Sequence, residues 1–128
     1  MRRGQLKRRK AIPTAKRTMA YLREAGWTVA KVELYNHFCR QRFDMFGFAD
    51  LVAIRADRKG ALAVQSAAMA NEKDHIDKVR DNEILKMWLN CGNAFWLVCW
   101  GKRQVNGRPR WSSRVSVFSV HNGRLITE

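Results

Sequence analysis

Two short apolar segments joined by a basic turn constrain this chain more than any other feature. They are Phe48-Ala49-Asp50-Leu51-Val52-Ala53-Ile54 and Ala61-Leu62-Ala63-Val64-Gln65-Ser66-Ala67, with Arg55-Ala56-Asp57-Arg58-Lys59-Gly60 between them. Each segment reads as a buried strand, and the short polar connection closed by Gly reads as a hairpin. The first strand opens with a carboxylate, Asp50, and the second ends on a polar Gln65. Side chains alternate along a strand, so Gln65 and Ala67 share one face and Val64 and Ser66 the other. Antiparallel pairing then brings Asp50 and Gln65 together, an oxygen pair suited to a divalent cation.

The flanking segments supply the rest of a small α/β pattern. Pro13-Thr14 marks a helix start with Thr14 as N-cap, and Ala15, Met19 and Leu22 form one apolar stripe up to Gly26. Residues 27–35 read as a strand carrying Glu33, either paired with Lys31 or Arg42 or serving as a further metal-binding or general-base carboxylate. The loop 36–44 mixes Phe38 and His37 with Arg40 and Arg42, a composition suited to phosphate and base contact. Asp44 reads as the cap of the turn leading into the Asp50 strand, with a complement to Asp50 as the alternative. Residues 71–90 carry a single helical apolar face, with Lys73, His75 and Lys78 near its start. Ala94–Trp100 is apolar almost throughout and so predicts a central strand. A basic turn follows over 101–110, and then two strands separated by Asn122-Gly123 that suit a sheet edge or a dimer contact.

Charge sets the class of partner. The chain has 128 residues with a formal net charge of +14, enough for one domain and a modest core. A domain this basic generally meets a polyanion, nucleic acid first. Arg2, Arg3, Lys7, Arg8, Arg9 and Lys10 form an arm over residues 1–13 that reads as a phosphate-contacting segment ahead of the domain at 14–128, joined by Lys16 and Arg17 on the first helix. No segment has the length and apolarity of a membrane span, and no apolar core of a secretory signal follows the basic start. Three cysteines make neither a disulfide framework nor a zinc pattern, which together place the expected compartment in the cytoplasm.

The order helix, strand, Asp-headed strand, hairpin, strand with a polar residue, helix resembles the PD-(D/E)xK nuclease superfamily over roughly residues 14–101. Ala49-Asp50 stands where that family has its PD, and Gln65-Ser66-Ala67 where it has (D/E)xK. The resemblance implies an α/β (α+β) fold: a restriction-endonuclease-like core, with a mixed central β-sheet flanked by two helices. It implies a metal-dependent DNA endonuclease, structure-selective like a Holliday junction resolvase or a small phage-type enzyme, acting on branched or duplex DNA ahead of RNA. It also implies a homodimer in a bacterial, archaeal or phage-infected cell. The implied ion is Mg²⁺, with Mn²⁺ as the alternative, held by Asp50, the Gln65 carbonyl oxygen and the Ser66 backbone carbonyl. Ala67 stands where the family has a catalytic lysine. Lys78 or Lys73 on the following helix is the expected replacement, with His75 as the alternative water-activating group and Glu33 as an additional carboxylate. The competing expectation is a degenerate member that keeps the fold and only binds DNA or RNA.

Overall fold

The computed structural model describes residues 13–128; the basic arm, with Arg2, Arg3, Lys7, Arg8, Arg9 and Lys10, lies outside them. In chain order the elements are α1 (Thr14–Glu24), β1 (Thr28–Lys31), β2 (Leu34–Asn36), β3 (Gln41–Phe43), β4 (Leu51–Ile54) and β5 (Leu62–Ala68). There follow α2 (Glu72–Arg80), α3 (Glu83–Asn90), β6 (Ala94–Val105), β7 (Arg108–His121) and β8 (Arg124–Thr127). Six strands form one mixed sheet in the order β1-β4-β5-β6-β7-β8, while β2 and β3 make a separate two-stranded hairpin. The expected α/β class with a mixed central sheet is what the chain adopts.

The β4–β5 pair is antiparallel, with Leu51 opposite Val64, so Asp50 and Gln65 are neighbours as the alternation predicted. β5 then pairs in parallel with β6, Gln65 opposite Leu97. A parallel pair needs a crossover, here the α2–α3 segment. Both faces of β5 are buried. Leu62 and Val64 pack under α1 with Leu22, Trp27, Leu51 and Val98. Ala63 and Ala67 pack with Phe48, Val79, Leu85, Phe95 and Cys99 on the α2–α3 side. The sheet is thus the middle of three layers, and the carboxylate face is the one turned toward α2.

Several local expectations are corrected. The predicted strand over 27–35 is two strands in different sheets. Its ladder partner β4 begins only at Leu51, so after the bond from the Val32 N–H to the Asp50 carbonyl (2.8 Å) the chain leaves the sheet. The predicted helix 71–90 is two helices broken at Asp81-Asn82. Asn82 is extended (φ −78°, ψ 106°) and its side chain accepts from the Leu85 N–H, capping α3. The core is therefore flanked by three helices, not two. Thr14 is the first helical residue and Pro13 occupies the N-cap position, with no side-chain cap. The basic turn expected over 101–110 is mostly strand: β6 and β7 continue to a two-residue connection at Asn106-Gly107. Both turn residues have positive φ (52° and 76°), the type I′ geometry that Asn-Gly favours.

One glycine fixes how the β4–β5 connection closes. Gly60 has φ +80°, and a Cβ there would collide with the Gly92 carbonyl oxygen. That close approach lets the Asn93 side chain accept the Ala61 N–H at 2.9 Å, tying the entry of β5 to the entry of β6.

Candidate metal centre

The last residue before β4 carries the site. Asp50 is 5% exposed, and its two oxygens are held by two adjacent residues of β5. Oδ2 accepts the Ser66 N–H at 2.8 Å. Oδ1 accepts from Gln65 Nε2 at 3.1 Å. The same Gln65 amide donates to Asp44 Oδ2 at 3.0 Å, so one neutral side chain bridges two carboxylates. Gln65 Oε1 is buried and makes no hydrogen bond, a costly state for a carbonyl oxygen.

Glu33 joins them from the β1–β2 connection: one oxygen each from Glu33, Asp44 and Asp50 lie within 4.8 Å of one another. Three carboxylates this close cannot all stay ionised in a half-dry setting without positive charge among them. Burial pushes the Asp50 carboxyl from 3.8 up to about 8; its Asp44 neighbour adds to the rise, the Ser66 N–H opposes it, and the Asp44 and Glu33 charges raise it further. Two cations approach from outside. Arg42 Nε lies 3.4 Å from Glu33, and Lys78 Nζ lies 3.7 Å from Asp44 Oδ2.

Among the expected site residues, Asp50, Gln65, Glu33, Lys78 and Arg42 are brought together. His75 sits half-buried on α2, one turn before Lys78, in the field of Asp44. Burial first, and then the Lys78 charge, lower it below its ordinary 6.5. Its Nδ1 is buried without a hydrogen-bond partner. Lys73 is exposed on α2, while Lys78 meets the carboxylates, so of the two only Lys78 reaches the cluster. Arg40 is exposed in the β2–β3 turn with φ 53°. Lys16 and Arg17 lie on α1, on the opposite side of the sheet, where the Arg17 guanidinium stacks 3.9 Å from the Trp111 ring centroid.

Of the two roles open to Asp44, the complement to Asp50 is the one its side chain takes, within the carboxylate cluster. Phe46 and Gly47, both at positive φ (56° and 81°), fold the chain back between Asp44 and Asp50. The signal was present in Asp44 lying six residues before Asp50 with a glycine between, a spacing a tight turn can close. The Ser66 side chain stands apart from the site, as expected of a residue whose backbone alone is assigned to it. Its hydroxyl points to the α1 face, 2.7 Å from Thr18 Oγ1. In an extended strand the N–H and C=O of one residue point to the same side. The Ser66 carbonyl therefore shares the side of the N–H that binds Asp50.

Thr18 was missed altogether. It is fully buried; its hydroxyl donates to the Thr14 carbonyl at 3.1 Å and accepts the Trp100 indole N–H at 2.8 Å. It fastens β5 from behind while Asp50 fastens it from the front.

No family model, curated protein or solved structure matches the chain. No helix among the described residues is long and apolar enough to cross a membrane.

The donor set fits a hard divalent cation. Carboxylate oxygens from three segments converge, Arg42 and Lys78 offset their charge only from the rim, and turning the Gln65 amide by half a turn would present its unpartnered oxygen in place of Nε2. Mg²⁺ favours such oxygen ligands, few in number and completed by water.

Proposed function

We propose that this chain is a metal-dependent endonuclease of the PD-(D/E)xK type that hydrolyses phosphodiester bonds in DNA. The observation that carries the reading is the cluster of Glu33, Asp44 and Asp50 beside Gln65, its oxygens within 4.8 Å. Around it, the chain is basic enough to attract a polyanion, at +14 overall.

In this reading Asp50 and Asp44 are the charged ligands, with Gln65 and the Ser66 carbonyl as neutral ones. A bound Mg²⁺ supplies the positive charge that offsets the scissile phosphate. Lys78 takes the part left open by Ala67. It is half exposed, with its ammonium at the Asp44 edge of the cluster, and so can face a phosphate oxygen while steadying the carboxylates. His75, kept neutral at cellular pH by burial, is the group able to accept a proton from the attacking water. Arg42 and Arg40 on the β2–β3 hairpin, with the exposed Tyr35, Phe38 and Phe43, offer guanidinium and aromatic surfaces to the strand entering the site. With a neutral Gln65 among the ligands, cation affinity is weak, and Mg²⁺ is needed at millimolar level unless Mn²⁺ replaces it.

A second reading, a nuclease-fold protein that binds nucleic acid without cutting it, is favoured by Ala67. That residue is packed into the apolar cluster with Phe48 and Val79, and no side chain at this position can act. Cleavage assays separate the two. Linear duplex, single strand, four-way junction and flap are incubated with Mg²⁺ or Mn²⁺, the unaltered chain beside Asp50→Asn. Metal-dependent cutting lost in the variant supports the nuclease. Equal tight binding by both proteins with no cutting refutes it and leaves the binding protein.

A further inference from the structure

The β6–β7 hairpin outgrows its sheet. β5 accompanies β6 only as far as Ala68 opposite Trp100, and β8 accompanies β7 only over Phe118–His121. Residues 101–112 pair with nothing but each other, from Gly101 opposite Ser112 to Val105 opposite Arg108. A two-stranded ribbon with no third strand is marginal in water, and this one adds a further cost. Arg103 stands directly opposite Arg110, and like charges in that position destabilise a ladder. The stretch 101–112 contains Lys102, Arg103, Arg108 and Arg110 and no acid, and among the described residues none of the four makes an ion pair. A sheet edge kept soluble by charge needs no such single sign.

The register sorts these cations. Paired residues and every second residue share a face, so Arg103, Val105, Arg108 and Arg110 stand on one side, continuous with Leu97 and therefore with Gln65 and Asp50. Lys102 and Trp111 stand on the other, where Trp111 is held between the Arg17 guanidinium at 3.9 Å and the Lys102 ammonium at 5.5 Å. The ribbon is thereby anchored to α1 by its back, and its arginine face is left free on the side of the carboxylates.

We propose that this ribbon is a grip for duplex DNA, seated in the major groove on its Arg103, Arg108 and Arg110 face. Its five residues per strand extend about 17 Å, and two strands at about 4.8 Å spacing fit a groove about 12 Å wide that admits a two-stranded ribbon. The arginine fork suits both phosphate oxygens and guanine edges, which a lysine does not match in the same way. From Leu97, opposite Gln65, six residues along β6 reach Arg103, about 20 Å at strand rise. That is about six base pairs of B-DNA at about 3.4 Å each, so the grip holds the duplex roughly half a turn from the phosphate at the carboxylates. Only that last spacing rests on the nuclease reading; the grip itself does not.

The test is fluorescence anisotropy of the full chain with a labelled 30-base-pair duplex (a length of about three helical turns), without divalent ions, across a series of KCl concentrations. Each phosphate contact contributes about −0.9 to the slope of log K against log salt. Arg103→Ala with Arg108→Ala and Arg110→Ala should make the slope shallower by about 2 to 3 and lower duplex affinity, while thermal melting stays at or above that of the unaltered chain. A slope unchanged in a variant that still melts cooperatively overturns the proposal. Arg103→Glu alone supplies the second arm. Facing Arg110 it should raise the melting temperature and weaken duplex binding together; a rise in stability with undiminished binding also overturns the proposal. Cleavage of the same duplex in Mg²⁺ is scored separately: absent cutting with a shallower slope defeats the nuclease and leaves the grip, whereas cutting with an unchanged slope defeats the grip alone.

Discussion

Replacing Asp50 by Asn removes one charge from a pocket where three carboxylates meet, and the structure fixes what that should do without any cation present. In the fold the Asp50 carboxyl titrates at about 8, against an ordinary 3.8. A raised acid favours the fold in its neutral form, so its contribution is fully present below about pH 4 and is lost as pH rises toward 8. The full shift corresponds to about 6 kcal/mol at about 1.4 kcal/mol per tenfold change in proton affinity. Relaxation and water at the rim of the cluster leave about half of that, about 3 kcal/mol, as the cost to the cation-free fold by pH 8. Asn keeps an acceptor for the Ser66 N–H but sets an NH₂ group against the Gln65 amide. The lost hydrogen bond returns about 1 kcal/mol of the gain. Asp50→Asn should therefore melt higher than the unaltered chain at about pH 8 in chelator, by roughly 10 °C for a net of about 2 kcal/mol. The two should converge toward about pH 4. Millimolar Mg²⁺ should raise the melting temperature of the unaltered chain and leave the variant nearly unchanged. Thermal melts by circular dichroism across pH, with and without Mg²⁺, read all three effects. A variant that melts lower than the unaltered chain at pH 8, with the same response to Mg²⁺, would refute the idea that Asp50 is a carboxylate awaiting a cation.

Four other positions can be tested in the same spirit. Thr18→Val keeps the shape but leaves the Trp100 indole N–H without its acceptor and Ser66 without its partner; urea unfolding should show a loss of about 1–3 kcal/mol. Gly60→Ala meets both a positive φ and the Gly92 carbonyl, so it should lower the urea midpoint more than Thr18→Val does. In the cleavage assay, His75→Ala should lower kcat by about a hundredfold to ten-thousandfold if it accepts the proton. Lys78→Ala should flatten the rate while Lys78→Arg restores part of it, and equal activity in all three would remove α2 from the chemistry.

The hairpin and its polar pair were legible because period-two alternation is a local property: Asp50 and Gln65 could be matched on a face from spacing alone. The pattern is silent where a chain stops pairing. Nothing within residues 27–35 says that β4 starts too late to hold Glu33 and Tyr35 in the sheet, since that depends on a partner in a separate segment. Asp81-Asn82 illustrates the opposite case. The apolar periodicity runs through it, yet Asn82 offers its side chain to the Leu85 N–H, and a cap outweighs one more turn of helix there. Thr18 was invisible because its three partners, Thr14, Ser66 and Trp100, come from three elements. The arginine ribbon hid for a simpler reason: Gly, Pro and Asn in 101–110 read as turn, although Pro109 needs no donor and Asn106-Gly107 needs only two residues to reverse the chain.

The antiparallel register of β4 and β5 carries a kinetic consequence. Glu33, Asp44, Asp50 and Gln65 lie within one short span of chain, and loops this small close early at little entropic cost. Their cover waits for α2, which starts at Glu72 and brings Lys78 to the cluster. The carboxylates therefore meet while still wet, and lose their water at a later docking step. A charge conflict that arises late belongs to the unfolding limb of a chevron rather than to its folding limb. Proton and cation concentration would then govern how long the folded molecule lasts, and hardly how fast it forms.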